Sequence, residues 1–418
     1  MKIVCYECGK EQKDGNFVYR CSCGGLLEVI HDFTGLDAEK LKRLFAQRLS
    51  ERMSVYASGV WSYKELIHPE LAESDIVTKY EGNTGLYRSE QIRSALGIRE
   101  LWLKAQSENP SGSFKDNGMT VAISHGRALG FERFTCTSTG NTSSSLAMYA
   151  ALAEKEAIAL VPRKQISLNK VLQTLAYGAK VIGFDGTYDD GIRFYERYGR
   201  ELGVYICNSI NPFRIEGQKS IVYEMAQSLN WELPDWIVIP GGALSNVTAL
   251  GKGLQDMLEL GFIRRMPKVA VVQAEGASPF HMMMSQGKRN LEPVERPSTI
   301  ASAMNIGNPP SWSKARDFLS RTGGETCSVT DEEIMEAKAL VDRSGIGCEP
   351  ASAATVAGVW KLIAEKKIGA EESVACILTG NLLKDTDVLR EYLLKDGRAQ
   401  MLAADLTVES LERLIRGS

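Results

Sequence analysis

The sequence predicts an α/β protein with two doubly wound, mostly parallel sheet domains behind a short N-terminal cysteine ribbon. Short β-branched runs recur from about residue 100 onward, and helix-length periodic segments separate them. Most of these runs are too apolar for a strand with one face in water, which indicates parallel strands covered on both faces. The runs comprise residues 133–136, 157–161, 204–207, 236–239, 269–272 and 374–378.

Composition and charge limit the classes of function. Hydrophobic residues make up 44% of the 418 residues and charged residues 24%, which is typical of a soluble protein of more than one domain. A formal net charge of -3, with cations scattered along the chain, does not favour binding to a nucleic-acid backbone. No secretory signal opens the sequence, and no apolar run is long enough to span a bilayer. We therefore expect a cytoplasmic protein that binds neither nucleic acid nor a membrane.

The N-terminal residues 1–30 form a separate segment with four cysteines. Cys5 and Cys8 have C-x-x-C spacing, and Cys21 and Cys23 follow with C-x-C spacing. Because cysteines stay reduced in the cytoplasm, four thiolates on two tight turns favour a Zn²⁺ site, which would stabilise a segment too short to bury its own core. The C-x-C spacing makes ligation by both sulfurs harder, and the alternative is a ribbon without metal.

A turn rich in Pro, Gly and Ser precedes Lys115 in the sequence NPSGSFKDNGM of residues 109–119. This turn delivers the lysine to the start of a helix. A lysine that is held in this way and partly desolvated has an accessible neutral amine and can form a Schiff base. The alternative is an ordinary capped helix start.

Three other segments place small polar residues at the carboxyl ends of strands, where open α/β sheets bind ligands. Residues 138–145 (STGNTSSS) open a helix, where hydroxyl groups cap the helix or hold a carboxylate or phosphate. Residues 241–246 (GGALSN) contain glycines that allow a phosphate to approach backbone N–H groups. Thr379 follows the last strand, and residues 293–310 form a long loop that is either a connection or a lid.

Together these segments resemble the fold-type II pyridoxal-phosphate enzymes, the tryptophan synthase β superfamily, and most closely its threonine synthase group. Further matching segments are YEGNTGL at residues 80–86, SINPFRIEGQK at 209–219 and EPASAA at 349–354. The resemblance implies pyridoxal 5′-phosphate as the cofactor and a homodimer. It also implies three parts, a zinc-ribbon-like segment (1–30), a large cofactor-binding α/β domain (31–125 and 210–418) and a small α/β domain (126–209).

The resemblance further implies roles for individual residues. Lys115 would bind the cofactor covalently and move the substrate's protons, Asn141 would bind the cofactor's 3′ oxygen, and Thr379 would contact its pyridine nitrogen. The turn that cradles the cofactor's phosphate would consist of Gly241, Gly242, Ala243, Leu244, Ser245 and Asn246. The substrate would be bound by Ser138, Thr139, Thr142, Ser143 and Arg214.

The chain departs from the usual threonine synthase pattern at three places. Asn117 replaces an arginine, Asn381-Leu382 replaces a His-Gly pair, and the 241–246 turn differs from the usual Gly-Asn-type loop. Losing a guanidinium removes a bidentate phosphate partner, so a different substrate or acceptor is expected. This favours the related archaeal cysteate synthase of coenzyme M biosynthesis, which converts O-phospho-L-serine and sulfite to L-cysteate and phosphate. Threonine synthase, which converts O-phospho-L-homoserine and water to threonine and phosphate, is the alternative.

Either reaction brings small anions together, so cationic side chains are expected to line the pocket. The candidates are Arg214, Lys219, Lys104, Arg163 and Lys384. An alternative from another class of function is a catalytically silent regulatory protein or a zinc-ribbon binding protein. Acidic residues offset the basic ones around the cysteines, which argues against a ribbon that binds nucleic acid.

Overall fold

The computed structural model describes residues 1–12, 18–163, 168–395, 399 and 402–416, with the backbone only at residues 168–170. Its strands are β1 (Lys2–Cys5), β2 (Glu11–Gln12), β3 (Leu27–Ile30), β4 (Leu86–Tyr87), β5 (Glu100–Ala105), β6 (Arg133–Thr137), β7 (Glu156–Pro162), β8 (Lys180–Phe184), β9 (Val204–Ile206), β10 (Trp236–Pro240), β11 (Lys268–Ala274), β12 (Glu325–Val329) and β13 (Ser373–Leu378).

The α-helices of the described residues alternate with the strands for most of the chain. They are α1 (Ala38–Arg48), α2 (Lys64–Ile67), α3 (Glu90–Leu96), α4 (Lys115–Ala128), α5 (Asn141–Leu152), α6 (Leu168–Ala176), α7 (Tyr188–Tyr198), α8 (Pro212–Gln218), α9 (Ser220–Ser228), α10 (Ser245–Glu259), α11 (Pro279–Ser285), α12 (Trp312–Thr322), α13 (Asp331–Arg343), α14 (Pro350–Ala364), α15 (Thr386–Leu394) and α16 (Val408–Arg416).

The strands pair in three sheets. A small antiparallel sheet has the order β2-β1-β3, a six-stranded sheet has the order β12-β11-β10-β13-β5-β4, and a four-stranded sheet has the order β8-β7-β6-β9. All pairs in the four-stranded sheet are parallel, and in the six-stranded sheet the edge strand β4 alone is antiparallel to its neighbour. The predicted fold class is therefore confirmed.

The alternation of side chains along β10 explains why the six-stranded sheet needs helices on both faces. Ile237 and Ile239 belong to one apolar core, whereas Trp236 and Val238 belong to a second one. Successive side chains of a strand point to opposite faces, so a strand that is apolar at every position must be covered twice. The continuous apolar runs of the sequence reflect this double burial.

Each of the six predicted runs coincides with a strand of the structure to within two residues at either end. The domain boundaries at residues 30, 125 and 209 stay a prediction. Contacts divide the chain into two compact units, residues 1–384 and residues 385–418, and the second unit contains α15 and α16. Within the described residues, no helix combines the length and the apolar character needed to cross a membrane.

Candidate active site

The turn before Lys115 is bonded to the segment that follows β13. The backbone N–H of Phe114 donates to the carbonyl of Thr379 at 2.9 Å, and the N–H of Asn381 donates to the carbonyl of Gly112 at 2.9 Å. Because two backbone hydrogen bonds fix this contact, Lys115 begins α4 directly beside the carboxyl end of β13. Two segments that are 264 positions apart in the sequence numbering (379 minus 115) thus meet at one sheet edge.

The amine of Lys115 lies in an environment that favours its neutral form. Its Nζ atom is 4.0 Å from the ring centroid of Phe114. Burial and the nearby cation of Arg214 lower the pKa of Lys115 to about 7, although the carboxylate of Glu349 opposes this shift. A large share of this amine is therefore neutral near physiological pH and can attack a carbonyl carbon.

Asp116, which is buried in the protein interior, holds the turn before Lys115 in place. Its carboxylate accepts hydrogen bonds from the Ser111 N–H at 2.7 Å, the Ser111 hydroxyl at 2.6 Å and the Ser145 hydroxyl at 2.5 Å. Burial raises the pKa of Asp116 to about 6, and these hydrogen bonds act in the opposite direction. The residue therefore joins the start of α4 to α5.

A buried carboxylate connects two of the residues expected to bind the cofactor. Glu349 accepts hydrogen bonds from Asn141 Nδ2 at 2.8 Å and from Thr379 Oγ1 at 3.1 Å. A Cβ atom at Gly380 would lie 2.4 Å from the Glu349 carboxyl carbon, so only glycine leaves room for this carboxylate. The sequence prediction gave Glu349 no role, although it begins the matching EPASAA segment.

The 241–246 turn offers unsatisfied hydrogen-bond donors to an anion. It follows β10, the neighbour of β13, and therefore lies at the same sheet edge as Thr379. Leu244, the N-cap residue of α10, adopts the left-handed conformation with φ of 62°, and its side chain makes no capping hydrogen bond. The buried Nδ2 of Asn246 has no partner among the described residues. An uncapped helix N-terminus with a spare amide fits a phosphate group.

The loop at residues 293–310 packs against this turn. The carbonyl of Ala303 would lie 2.9 Å from a Cβ atom at Gly242. At the end of the loop, the N–H of Ser311 donates to the carbonyl of Ala243 at 3.4 Å. The prediction that these residues form a long loop is confirmed, since within them only Ser302–Met304 form a helical turn.

Arg214 is a buried cation with unused donors. It is 1% exposed, and its Nη1 donates to the carbonyl of Cys207 at 3.0 Å. Its Nε and Nη2 atoms have no partner in the part of the chain that the structure describes. A buried guanidinium without a counterion is destabilising, so this geometry favours binding of an anion.

Close backbone packing brings Arg214 to the lysine helix. A Cβ atom at Gly118 of α4 would lie 2.7 Å from the Arg214 carbonyl oxygen, and one at Gly217 of α8 would lie 2.0 Å from the Asn117 carbonyl oxygen. Since neither position has room for a side chain, the two glycines let α4 and α8 touch. The sequence alone did not reveal this contact.

The residues expected to bind the substrate's carboxylate surround the start of α5. The Gly140 N–H donates to the Ser138 hydroxyl at 3.2 Å, and the Ser143 hydroxyl donates to the Gly140 carbonyl at 2.9 Å. Gly140, the N-cap residue of α5, has no side chain with which to cap the helix. Ser138, Thr139 and Thr142 are half-buried and flank Asn141 in the sequence. Because Asn141 donates to Glu349, the start of α5 lies beside that carboxylate.

The five candidate cations have different surroundings in the structure. Lys104 pairs with Glu224 at 2.6 Å, and Lys219 pairs with Asp256 at 2.7 Å, so both are structural ion pairs in the interior. Arg163 is exposed. By contrast, Lys384 donates to Ser144 of α5 at 3.3 Å and to Gln173 at 2.6 Å. Only Arg214 and Lys384 of the five thus lie beside the segments expected to bind ligands.

The two asparagines at unusual positions both bond to the protein itself. Asn117 is buried, its Nδ2 donates to the Ser220 hydroxyl at 2.9 Å, and its Oδ1 accepts from Asn109 at 3.1 Å. Asn381 accepts from the N–H of Leu383 at 2.9 Å. The side-chain amide of Asn117 is thus used in packing between helices and does not itself contact a ligand site.

Comparison with known proteins identifies the family. Residues 77–380 match the family model described as "Pyridoxal-phosphate dependent enzyme". The chain belongs to this family. One relative in sequence is the threonine synthase of Methanocaldococcus jannaschii. It is 42% identical over 384 residues, which cover 92% of this chain and 93% of the relative. The threonine synthase of Methanosarcina acetivorans is 42% identical over 387 residues, which cover 92% of both chains.

Solved structures show the same fold at low sequence identity. The processed form of threonine deaminase isoform 2 from Solanum lycopersicum superimposes with a TM-score of 0.65 and is 18% identical, covering 89% of this chain and 92% of the other. Maize serine racemase gives a TM-score of 0.65 at 18% identity, covering 81% and 97%. The cofactor prediction of pyridoxal phosphate is confirmed by the family.

Proposed function

We propose that this protein binds pyridoxal 5′-phosphate through Lys115 and displaces phosphate from an O-phosphorylated amino acid. We further propose the threonine synthase reaction, in which O-phospho-L-homoserine and water give threonine and phosphate. The observation that carries the proposal is the buried guanidinium of Arg214, whose Nε and Nη2 atoms lack a partner among the described residues, near the Lys115 amine. A phosphorylated substrate would supply the anion that this cation lacks.

The proposed contacts fit the chemistry of pyridoxal phosphate. Bound pyridoxal phosphate supplies an electron sink that stabilises negative charge at the substrate's α-carbon. The uncapped start of α10 and the Asn246 amide would hold its phosphate, and Asn141 and Thr379 would contact its ring. The hydroxyl of Thr379 is uncharged, so it would stabilise a protonated ring nitrogen less than a carboxylate would.

We propose roles in proton transfer and substrate binding for other side chains near the same sheet edge as Thr379. Because its pKa is about 7, the Lys115 amine is suited to take a proton from the substrate and return it near neutral pH. The hydroxyl groups at the start of α5 would bind the substrate's carboxylate, and they belong to Ser138, Thr139, Thr142 and Ser143. Arg214 would hold the phosphate group as it leaves.

The sequence relatives support threonine synthase as the first candidate. The threonine synthases of Methanocaldococcus jannaschii and Methanosarcina acetivorans match over most of the chain. The homodimer and the cytoplasmic location remain predictions.

Cysteate formation from O-phospho-L-serine and sulfite is the second candidate. The 241–246 turn favours it, because its sequence departs from the Gly-Asn-type loop that is usual in threonine synthases. The Asn381-Leu382 pair also favours it, since it follows Thr379 at the cofactor's expected edge. Either change would alter which acceptor fits near the reacting carbon.

The deciding experiment offers the purified protein both substrate pairs and follows phosphate release together with the product amino acid. Threonine from phosphohomoserine, without cysteate from phosphoserine and sulfite, supports the first candidate, and the reverse supports the second. The K115A variant serves as a control for contaminating phosphatases, because it should release phosphate from neither substrate. No phosphate release by the cofactor-loaded wild type would contradict both candidates.

A further inference from the structure

The four N-terminal cysteines come together in the geometry of a tetrahedral metal site. We call residues 1–12 and 18–30 the ribbon. The Sγ atoms of Cys5 and Cys23 are 3.5 Å apart, those of Cys8 and Cys21 are 3.7 Å apart, and those of Cys8 and Cys23 are 3.5 Å apart. All four sulfurs lie within 4.8 Å of one another. A disulfide would require about 2.0 Å, whereas neighbouring sulfurs around Zn²⁺ with Zn–S bonds of about 2.3 Å lie about 3.8 Å apart.

Two matching turns present the sulfurs. Cys8 and Cys23 are each followed by a glycine in the left-handed conformation, with φ of 70° at Gly9 and 88° at Gly24. The N–H of Gly24 donates to the Cys21 carbonyl at 2.8 Å, which closes a turn tight enough for the C-x-C spacing. The shorter spacing of the second pair is therefore compatible with four ligands.

One side of the ribbon is attached to the six-stranded sheet through α12, which packs on β11. The Tyr6 hydroxyl donates to the Asp317 carboxylate at 2.6 Å, and Lys314 donates to the Leu27 carbonyl at 2.9 Å. Val29 of β3 is buried in the apolar core on one face of this sheet. Tyr6 directly follows Cys5, and Leu27 lies four positions after Cys23.

The other side of the ribbon is attached to the four-stranded sheet. The backbone N–H of Ile206 in β9 donates to the Tyr19 hydroxyl at 2.6 Å, and Arg20 pairs with Glu196 of α7 at 2.6 Å. Leu26 is buried in a core cluster with Val204 and Ile206. Leu26 and Val29, three positions apart, therefore belong to the cores of two different sheets.

We propose that Cys5, Cys8, Cys21 and Cys23 bind one Zn²⁺ ion, and that the metal-closed ribbon clamps the four-stranded sheet to the six-stranded sheet. So short a segment buries too little apolar surface to hold its shape alone, and a metal supplies the missing folding energy. Four sulfur ligands favour zinc over the oxygen-binding cations, and the thiols lose their protons as they bind it. The Zn²⁺ site and the clamp do not depend on the proposed reaction.

The metal is tested on the cofactor-loaded protein by elemental analysis and by growth with Co²⁺ in place of zinc. We expect one zinc per chain, and for the cobalt form the thiolate charge-transfer and tetrahedral absorption bands. The double variant C8S/C23S changes the two exposed ligands and should lose the metal, whereas the matched control S22A, between Cys21 and Cys23, should keep it. A reduced holoenzyme that contains no zinc, or contains iron instead, would overturn the proposal.

The clamp is tested by hydrogen exchange at the Ile206 N–H, with the amides of β10 as an internal reference. Loss of the metal should speed exchange at Ile206 by up to about tenfold, the effect of losing one hydrogen bond, while β10 stays unchanged. If the double variant does not fold, wild-type protein stripped with a chelator and then reloaded with Zn²⁺ gives the same comparison. Unchanged exchange at Ile206 in zinc-free protein would overturn the clamp, whatever the enzymatic activity.

Discussion

The carboxylate of Asp116 accepts a 2.5 Å hydrogen bond from the hydroxyl of Ser145, and this bond ties the helix of the candidate lysine to the helix of the candidate carboxylate site. Asp116 also accepts two bonds from Ser111, so it fixes both ends of the turn that presents Lys115. The position of the reactive amine therefore depends on a residue that does not itself face the ligand.

Replacing Asp116 with alanine should loosen this turn. The D116A variant leaves the Ser111 and Ser145 donors without an acceptor, and we expect its free energy of unfolding to fall by about 2–3 kcal/mol. Cofactor affinity should fall as well, since Lys115 is no longer held. The matched variant S145A removes one bond of three and should lose about 1 kcal/mol. Denaturant unfolding and cofactor titration measure both effects, and equal losses in the two variants would argue against this role.

The pH dependence of covalent cofactor capture should report the pKa of Lys115, which burial and Arg214 lower to about 7. Below that pH the protonated amine cannot attack the aldehyde, so the rate of capture by cofactor-free protein should rise with pH and level off above about pH 7. An unperturbed lysine would keep gaining neutral amine up to a pH of about 10.4. Absorbance after rapid mixing gives the rate, and a rise that continues beyond pH 9 would be the contrary result. In R214Q the plateau should move to higher pH, because one cause of the shift is gone.

Arg214 should affect activity and stability in opposite directions. Its guanidinium is buried without a counterion among the described residues, so R214Q should raise the free energy of unfolding of the ligand-free protein by about 1–3 kcal/mol. The same variant should lower kcat/KM for the phosphorylated substrate by about 100-fold, because the leaving phosphate loses its partner. The exposed arginine variant R163Q is the control and should change neither quantity. Unaltered kcat/KM in R214Q would show that Arg214 does not bind the phosphate of the substrate.

The glycine contact between α4 and α8 should not tolerate a methyl group. In G217A the new Cβ atom would lie 2.0 Å from the Asn117 carbonyl oxygen, and backbone cannot move aside as a side chain can. We expect a loss of about 3 kcal/mol or more in unfolding free energy. At Gly369 the nearest atom to a Cβ is 3.5 Å away and belongs to a side chain, so G369A should stay within about 0.5 kcal/mol of wild type. Similar melting temperatures of the two variants would show that α4 and α8 do not need this close approach.

The sequence was informative where local pattern and burial coincide. The central strands β10, β11 and β13 are apolar at nearly every position because both faces are covered, and all three were predicted. Strands β5, β8 and β12 were not predicted. Charged, hydroxyl or glycine residues interrupt all three, so none is a continuous apolar run. Incomplete burial therefore weakens the pattern that identifies a strand.

The site was predictable only where a motif lies beside its own strand or helix. Lys115 and Thr379 each stand at an element boundary, and the structure brings them together. The position of Arg214 near Lys115 depends on the close packing of α8 on α4. The link between Asn141 and Thr379 depends on Glu349, which is distant in sequence from Asn141. Such long-range contacts follow from packing and leave no local pattern.

Borohydride reduction of the cofactor-loaded protein, followed by peptide mass mapping, tests most directly whether Lys115 binds the cofactor. Reduction converts a Schiff base to a stable secondary amine, and we expect a pyridoxyl-phosphate adduct on Lys115, in the peptide that contains Phe114 and Asp116. The K115A protein should carry no adduct. An adduct on another lysine, or none at all in protein that visibly binds the cofactor, would contradict the assignment of the active site.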